Sequence, residues 1–343
     1  MNNDLVLVTG GSGFVGIHCI IALLRAGYRV RTTIRTLNRQ DEVLAMLQRA
    51  GVDPDDRLSF AAADLMQDAG WPAAVDGCRF VLHVASPFTI EKVKHEDDMI
   101  VPARDGTLRV LRAARDAGVE RVVLTSSFAA IGYGHPSQTM PFTENDWTDI
   151  AGSDVNPYIK SKAIAERAAW DFLAREGGAL QLTSVNPGGI FGPALGPKLS
   201  GSLVILQKML NGEVPACPRL RTNVVDVRDV ADLHLLAMTH PEANGQRFLS
   251  VAGESLSFLQ FANIVRQHLG PAGDKLPKRE VPDLFIRLIA LFRADIREVV
   301  PQLGKERHAT AAKAKKLLGW QPRSNVEALN ASADSLIALG LVK

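Results

Sequence analysis

The chain has 343 residues, of which 46% are hydrophobic and 22% charged, and a formal net charge of +2. That length fills one large domain or two closely joined ones, and the near-neutral balance lacks the basic footprint of a nucleic-acid-binding protein. No run approaches the roughly 18–20 apolar residues of a membrane span, and no cysteine–histidine cluster has metal-ligand spacing, so neither a membrane nor a metal is expected.

In chain order, the apolar run 5–8 reads as a strand. It breaks into Gly10-Gly11-Ser12-Gly13-Phe14-Val15-Gly16 and continues as a helix-like apolar run over 17–24. Strand, glycine turn and helix in that order read as a dinucleotide site: glycines let the backbone approach a pyrophosphate, and the helix N-terminus offers unpaired N–H groups. A second strand covers 28–35, a helix 41–50, a third strand 57–63 and a fourth 80–85. A long amphipathic helix spans 99–117, a fifth strand 121–125, a polar loop 132–156, a helix 158–176 and a sixth strand 180–185. Near-continuously apolar strands alternating with helices predict a doubly wound parallel sheet over residues 1–189, with segments of about 222–252 returning to it. Residues 190–221 and 253–343 read as a smaller substrate-binding region, with helices near 203–210, 257–268, 284–292 and 309–318. The helix over 284–292 is amphipathic and reads as core packing or a dimer face.

In such a sheet, ligands lie just past the strand C-terminal ends. That rule singles out Gly10–Gly16, Arg35, Asp64, Ala85–Pro87, Ser127 and Pro187. The second strand ends in Thr33-Ile34-Arg35, with no carboxylate before Asp41. An acidic residue there would hold a ribose 2′-hydroxyl, whereas Arg35 suits a 2′-phosphate, so NADP (NADPH) is expected and NAD disfavoured. Arg39 lies one turn on, and Glu42 counts against a strongly basic pocket.

Tyr158 and Lys162 are four apart on a helix and share a face, while Lys160 faces away. An ammonium beside a phenol favours the phenolate and makes an acid/base pair. Ser126 and Ser127 end the fifth strand, and only one of them can face the ligand. His83 and His234 read as packed structural residues, and Arg228-Asp229 as a cleft residue pair or a structural ion pair.

These residues together resemble the extended short-chain dehydrogenase/reductase family, in the NAD-dependent epimerase/dehydratase superfamily. The likeness rests on Thr9-Gly10, Gly13-Phe14 and Gly16, Asp64-Leu65, Thr125-Ser126-Ser127, Tyr158 with Lys162, Asn186-Pro187-Gly188, Asp226 to Ala231 and Leu318-Gly319-Trp320. Within it, Val30 to Arg35, His83 to Phe88 and Thr143-Glu144 with Trp147 are similar to the dihydroflavonol reductase, methylglyoxal reductase and aldehyde reductase group. The resemblance implies a Rossmann fold and an NADPH-dependent reduction of an aldehyde or ketone, with Ser127, Tyr158 and Lys162 catalytic. It implies cofactor contacts from Gly10, Ser12, Gly13, Phe14, Val15, Gly16, Arg35, Asp64, Leu65, Val84, Ala85, Ser86, Thr125, Tyr158, Lys162, Pro187 and Gly188. Pro87, Phe88, Phe128, Phe191 and Leu195 are candidate walls of the substrate pocket. An NAD-dependent sugar-nucleotide epimerase/dehydratase or hydroxysteroid dehydrogenase and a non-catalytic dinucleotide-sensing regulator are the alternatives. The scattered Cys19, Cys78 and Cys217 and the lack of a leader predict a reduced, cytoplasmic protein, monomeric or homodimeric, whose partner is a small carbonyl compound.

Overall fold

A computed structural model describes residues 4–86, 95–136 and 138–343. The first half alternates strictly: β1 (Leu5–Val8), α1 (Phe14–Arg25), β2 (Arg29–Ile34), α2 (Gln40–Arg49), β3 (Leu58–Ala62), α3 (Trp71–Val75), β4 (Phe80–His83), α4 (Asp97–Asp116), β5 (Arg121–Thr125), α5 (Pro157–Glu176) and β6 (Gln181–Pro187). Shorter elements follow: β7 (Gly189–Phe191), α6 (Gly201–Leu210), β8 (Arg221–Thr222), β9 (Val224–Asp226), α7 (Val227–Thr239), β10 (Arg247–Ser250) and β11 (Leu256–Ser257). Helices α8 (Phe258–Leu269), α9 (Asp283–Phe292), α10 (Ala294–Arg297), α11 (Ala312–Leu318) and α12 (Asn325–Ala338) complete the chain.

Seven strands form one sheet in the order β10-β6-β5-β4-β1-β2-β3, every pairing parallel. The chain winds outward from β1 to β3, then restarts at β4 on the other side of β1. That reversal opens a crevice past the C-terminal ends of β1 and β4, where doubly wound sheets bind ligands. Period-two alternation splits the strands between two apolar layers. Val6, Val8, Phe80 and Leu82 pack with α1, α2, α7 and α11. Leu7, Val81, Val122 and Leu124 pack with α3, α4 and α5 on the opposite face. A third apolar cluster joins α6, α8 and α12 to Phe191 and Val224 beside the crevice.

The expected fold class is therefore observed, with local differences. The strand expected over 80–85 stops at His83, because the Thr9 hydroxyl takes the backbone N–H groups of Val84 (3.0 Å) and Ala85 (2.9 Å) out of the ladder. Five-residue α3 gives too short a pattern to be read from periodicity. Helix α9 is not core: only Ile286 and Ala290 are buried along it.

Candidate active site

The glycine turn shapes one end of the crevice. Gly10 has φ +71°, a conformation L side chains rarely adopt. A methyl on Gly16 would stand 2.4 Å from the Gly10 carbonyl oxygen. No side chain caps the first turn of α1, whose N–H groups and dipole are left for an anion. The Thr33 hydroxyl accepts the Gly10 N–H at 3.0 Å and ties the turn to β2. These features fit a pyrophosphate-bearing dinucleotide. Gly16→Ala is expected to open the turn, costing about 1–3 kcal/mol of stability and at least tenfold in dinucleotide affinity. Thermal unfolding and a fluorescence titration check this, and unchanged binding would contradict it.

The crevice encloses about 1260 Å³. All seventeen residues expected to contact the cofactor line it, from Gly10 through Asp64 and Ser86 to Gly188, and Ser127 joins them. Residues that local pattern did not reveal also line it, Asn156 before α5 and Lys198, Ser200 and Glu298 from the C-terminal region.

Past the end of β2, Arg35 is exposed at the rim of the crevice. Arg39 donates to the Ser12 hydroxyl (3.0 Å) and pairs with Glu42 (2.7 Å). Lys198 reaches the same carboxylate from the far wall at 3.1 Å. Glu42 therefore does not make this corner acidic, since two cations share it. Asp64, at the end of β3, accepts the Met66 N–H through its carboxylate, while its carbonyl holds the Trp71 indole.

At the other end, Asn156 caps α5, accepting the Ile159 N–H at 2.9 Å, and Pro157 occupies the first turn. This fixes the start of the helix that carries Tyr158 and Lys162. Lys162 Nζ lies 5.8 Å from the centre of the Tyr158 ring and donates to Ser86 Oγ at 2.9 Å. Lys160 turns away and pairs with Glu96 at 2.7 Å. The two serines part as adjacent strand-end residues must. Ser126 donates to buried Glu166, while Ser127 hydrogen-bonds the Tyr158 side chain and accepts the Ala129 N–H.

The electrostatics differ from the expected phenolate. Burial pushes the Tyr158 phenol above its ordinary value; the Ser127 hydrogen bond offsets part of this, and neighbouring Tyr133 raises it further. Burial also lowers Lys162 to about 8. Desolvation thus outweighs the favourable pairing of phenolate and ammonium.

The remaining expectations separate cleanly. Thr9 Oγ1 accepts two N–H groups, so its own proton goes to His83 Nδ1 at 2.9 Å. His83 is buried and lowered to about 3, a neutral structural residue. His234 is lowered to about 4 by burial and bridges Thr125 and the Val230 carbonyl. Arg228 pairs with Asp226, and Asp229 with Arg323, away from the crevice lining. Phe128, Phe191 and Leu195 do not line the crevice. Phe128 packs with Ile131, Phe142 and Leu249, Phe191 lies edge-on to Phe261, and Leu195 packs against the α1 layer. Pro87 and Phe88 lie outside the described residues.

A doubly wound sheet with a glycine turn at its switch point and a Ser–Tyr–Lys cluster across the crevice defines an extended short-chain dehydrogenase/reductase. The chain belongs to the NAD dependent epimerase/dehydratase family, whose pattern matches residues 6–252. It is 33% identical to a cinnamoyl-CoA reductase of Medicago truncatula over 72% of this chain and 76% of that protein. It is 31% identical to a dihydroflavonol 4-reductase of Hordeum vulgare, over 83% of this chain and 78% of that one. The crystal structure of yeast methylglyoxal/isovaleraldehyde reductase Gre2 complexed with NADPH superposes with a TM-score of 0.79 at 26% identity, covering 98% of this chain and 100% of that chain.

Proposed function

We propose that the protein is an NADPH-dependent carbonyl reductase that converts an aldehyde or ketone to the alcohol. The observation that carries this reading is the convergence of Ser127, Tyr158 and Lys162 on a crevice floored by the glycine turn. The reductases among its relatives, and the NADPH in the Gre2 structure, support it. Bound in the crevice, NADPH supplies the hydride that goes to the carbonyl carbon.

The chain's own residues manage the oxygen. Tyr158 keeps its proton through the neutral range because burial raises it, so it serves as the acid that protonates the carbonyl oxygen. Ser127 holds that oxygen, its own Oγ oriented by the Ala129 N–H. Lys162, charged below about pH 8, stabilises the phenolate left on Tyr158. Asn156 and Pro157 fix the height of Tyr158 at the crevice wall.

Arg35 and Arg39 are assigned to the 2′-phosphate. Losing either removes a charge-assisted contact of about 1.5–3 kcal/mol, a rise of roughly 10–100-fold in KM for NADPH with KM for NADH little changed. Steady-state kinetics of Arg35→Ala and Arg39→Ala with both cofactors test this. A wild-type enzyme that prefers NADH, or variants that lose both cofactors equally, would overturn the cofactor assignment.

A further inference from the structure

We propose that Lys198, on the loop before α6, completes the 2′-phosphate site from the opposite wall of the crevice and helps to set the choice of cofactor, a role that rests on the NADPH assignment. Arg35, Arg39 and Lys198 all line the crevice, whereas Asp41 and Glu42 do not. Glu42 joins two of these cations from outside the lining. Arg39 Nε and Nη2 donate to its two oxygens at 3.0 and 2.7 Å, and Lys198 Nζ lies 3.3 and 3.1 Å from the same pair. The Arg39 hydrogen bond, helped by that of Lys198, holds the Glu42 carboxyl down to about 2, so it stays ionised and keeps both cations together. Arg39 also donates to Ser12 Oγ at 3.0 Å, which joins the cluster to the glycine turn.

The loop that carries Lys198 is pinned to the first two helices. His18 Nε2, on α1, donates to the Pro193 carbonyl at 3.0 Å, and Arg49, at the end of α2, donates to the Leu195 carbonyl. A methyl on Gly196 would stand 3.1 Å from Met46 Sδ, so the loop lies close against α2. A lysine held on such a loop has less freedom to lose when an anion arrives than one on a free surface strand. Charge balance identifies the anion. Arg39 already satisfies Glu42 through both oxygens, so the lysine is surplus to that carboxylate. Arg35 and Arg39 with Glu42 leave one surplus positive charge, and Lys198 raises the surplus to two. A phosphate monoester carries about −1.5 to −2 charge at neutral pH, whereas a ribose 2′-hydroxyl carries none. The Lys198 side chain is 62% exposed, and its ammonium has three N–H donors, so it can keep Glu42 and still donate to a phosphate oxygen. The same exposure weakens the contact through solvent screening.

Calorimetric titration of the full chain with adenosine 2′,5′-bisphosphate and with AMP isolates the 2′-phosphate, and neither probe depends on turnover. The wild-type protein is expected to bind the bisphosphate more tightly than AMP. Lys198→Ala should shrink that preference roughly three- to tenfold, with AMP affinity and thermal unfolding unchanged, and Lys198→Arg should retain it. A cycle with Glu42→Gln separates contact with the phosphate from mere neutralisation of the carboxylate. If Lys198 touches the phosphate, Lys198→Ala lowers the preference by a similar factor in the Glu42→Gln background. Disappearance of the effect in that background, an undiminished preference in Lys198→Ala, or equal losses for both nucleotides would overturn the role of Lys198 and leave the cofactor assignment standing. A wild-type protein that binds the two nucleotides equally would overturn the NADPH assignment itself, and the role of Lys198 with it.

Discussion

Replacing Tyr158 with phenylalanine is expected to lower kcat for carbonyl reduction by roughly 10²–10⁴-fold while NADPH still binds. In the proposed mechanism the phenol hydroxyl gives up a proton, and phenylalanine keeps the ring that packs at the head of α5. Ser127 loses its hydrogen-bond partner, but its hydroxyl stays anchored by the Ala129 N–H, so the crevice keeps its shape. The pH profile carries the same assignment with a definite sign. The proposed reduction needs the phenol protonated and Lys162 charged. Burial raises the first above its ordinary value and lowers the second to about 8, so Lys162 is the group that titrates first. Reductive kcat/KM should be flat through neutrality and fall as the pH rises past about 8, and alcohol oxidation should gain as base removes the phenol proton. A Tyr158→Phe enzyme with full turnover would falsify the mechanism, and a reductive rate that climbs between pH 7 and 9 would assign the acid elsewhere.

The parts of this site that could be read from sequence are those fixed by local geometry. Tyr158 and Lys162 share a helix face because they are four apart, and Lys160 was separable from them on the same ground. Ser127 and Ser126 point apart because they are strand neighbours. The glycine turn, Arg35, Asp64 and Pro187 follow from the rule that ligands gather past strand C-termini. The failures come from distance along the chain. Lys198 reaches Glu42 across 156 residues, and Ser86 meets Lys162 across 76, with no periodicity to announce either contact. The surroundings of the aromatic candidates are hidden for a related reason. Whether Phe128 or Phe191 faces a crevice or a core depends on what packs beside it, and Phe142 and Phe261 are supplied from elsewhere in the chain. The phenol's direction of shift was missed because burial, unlike spacing, cannot be counted from residue numbers.

The largest effect on stability is expected behind the site, at Glu166. This carboxylate is fully buried on α5 and accepts hydrogen bonds from Ser126, Ser184, Asn186, Trp170 and Arg247. Arg247 is itself buried, pairs with Glu166 at 2.7 Å, donates to the Glu144 and Asp146 carbonyls, and stacks 3.7 Å over the Trp147 ring. One ion pair thereby ties α5, β5, β6, β10 and the loop before α5 together, and Asn186 extends it to the Ser127 carbonyl at 3.2 Å. Breaking a buried pair from one side leaves an uncompensated charge, whereas replacing both ions with apolar groups of similar size is far better tolerated. Glu166→Ala should therefore cost about 3–5 kcal/mol in urea unfolding, and Glu166→Met with Arg247→Met should recover much of that loss. The catalytic readout separates packing from positioning. If Asn186 transmits the pair to Ser127, the double variant should remain impaired in kcat with little change in KM for the cofactor, because the arginines and glycines at the adenosine end are untouched. Equal losses of stability in the single and double variants would mean that the charge balance at Glu166 is not what holds these elements together.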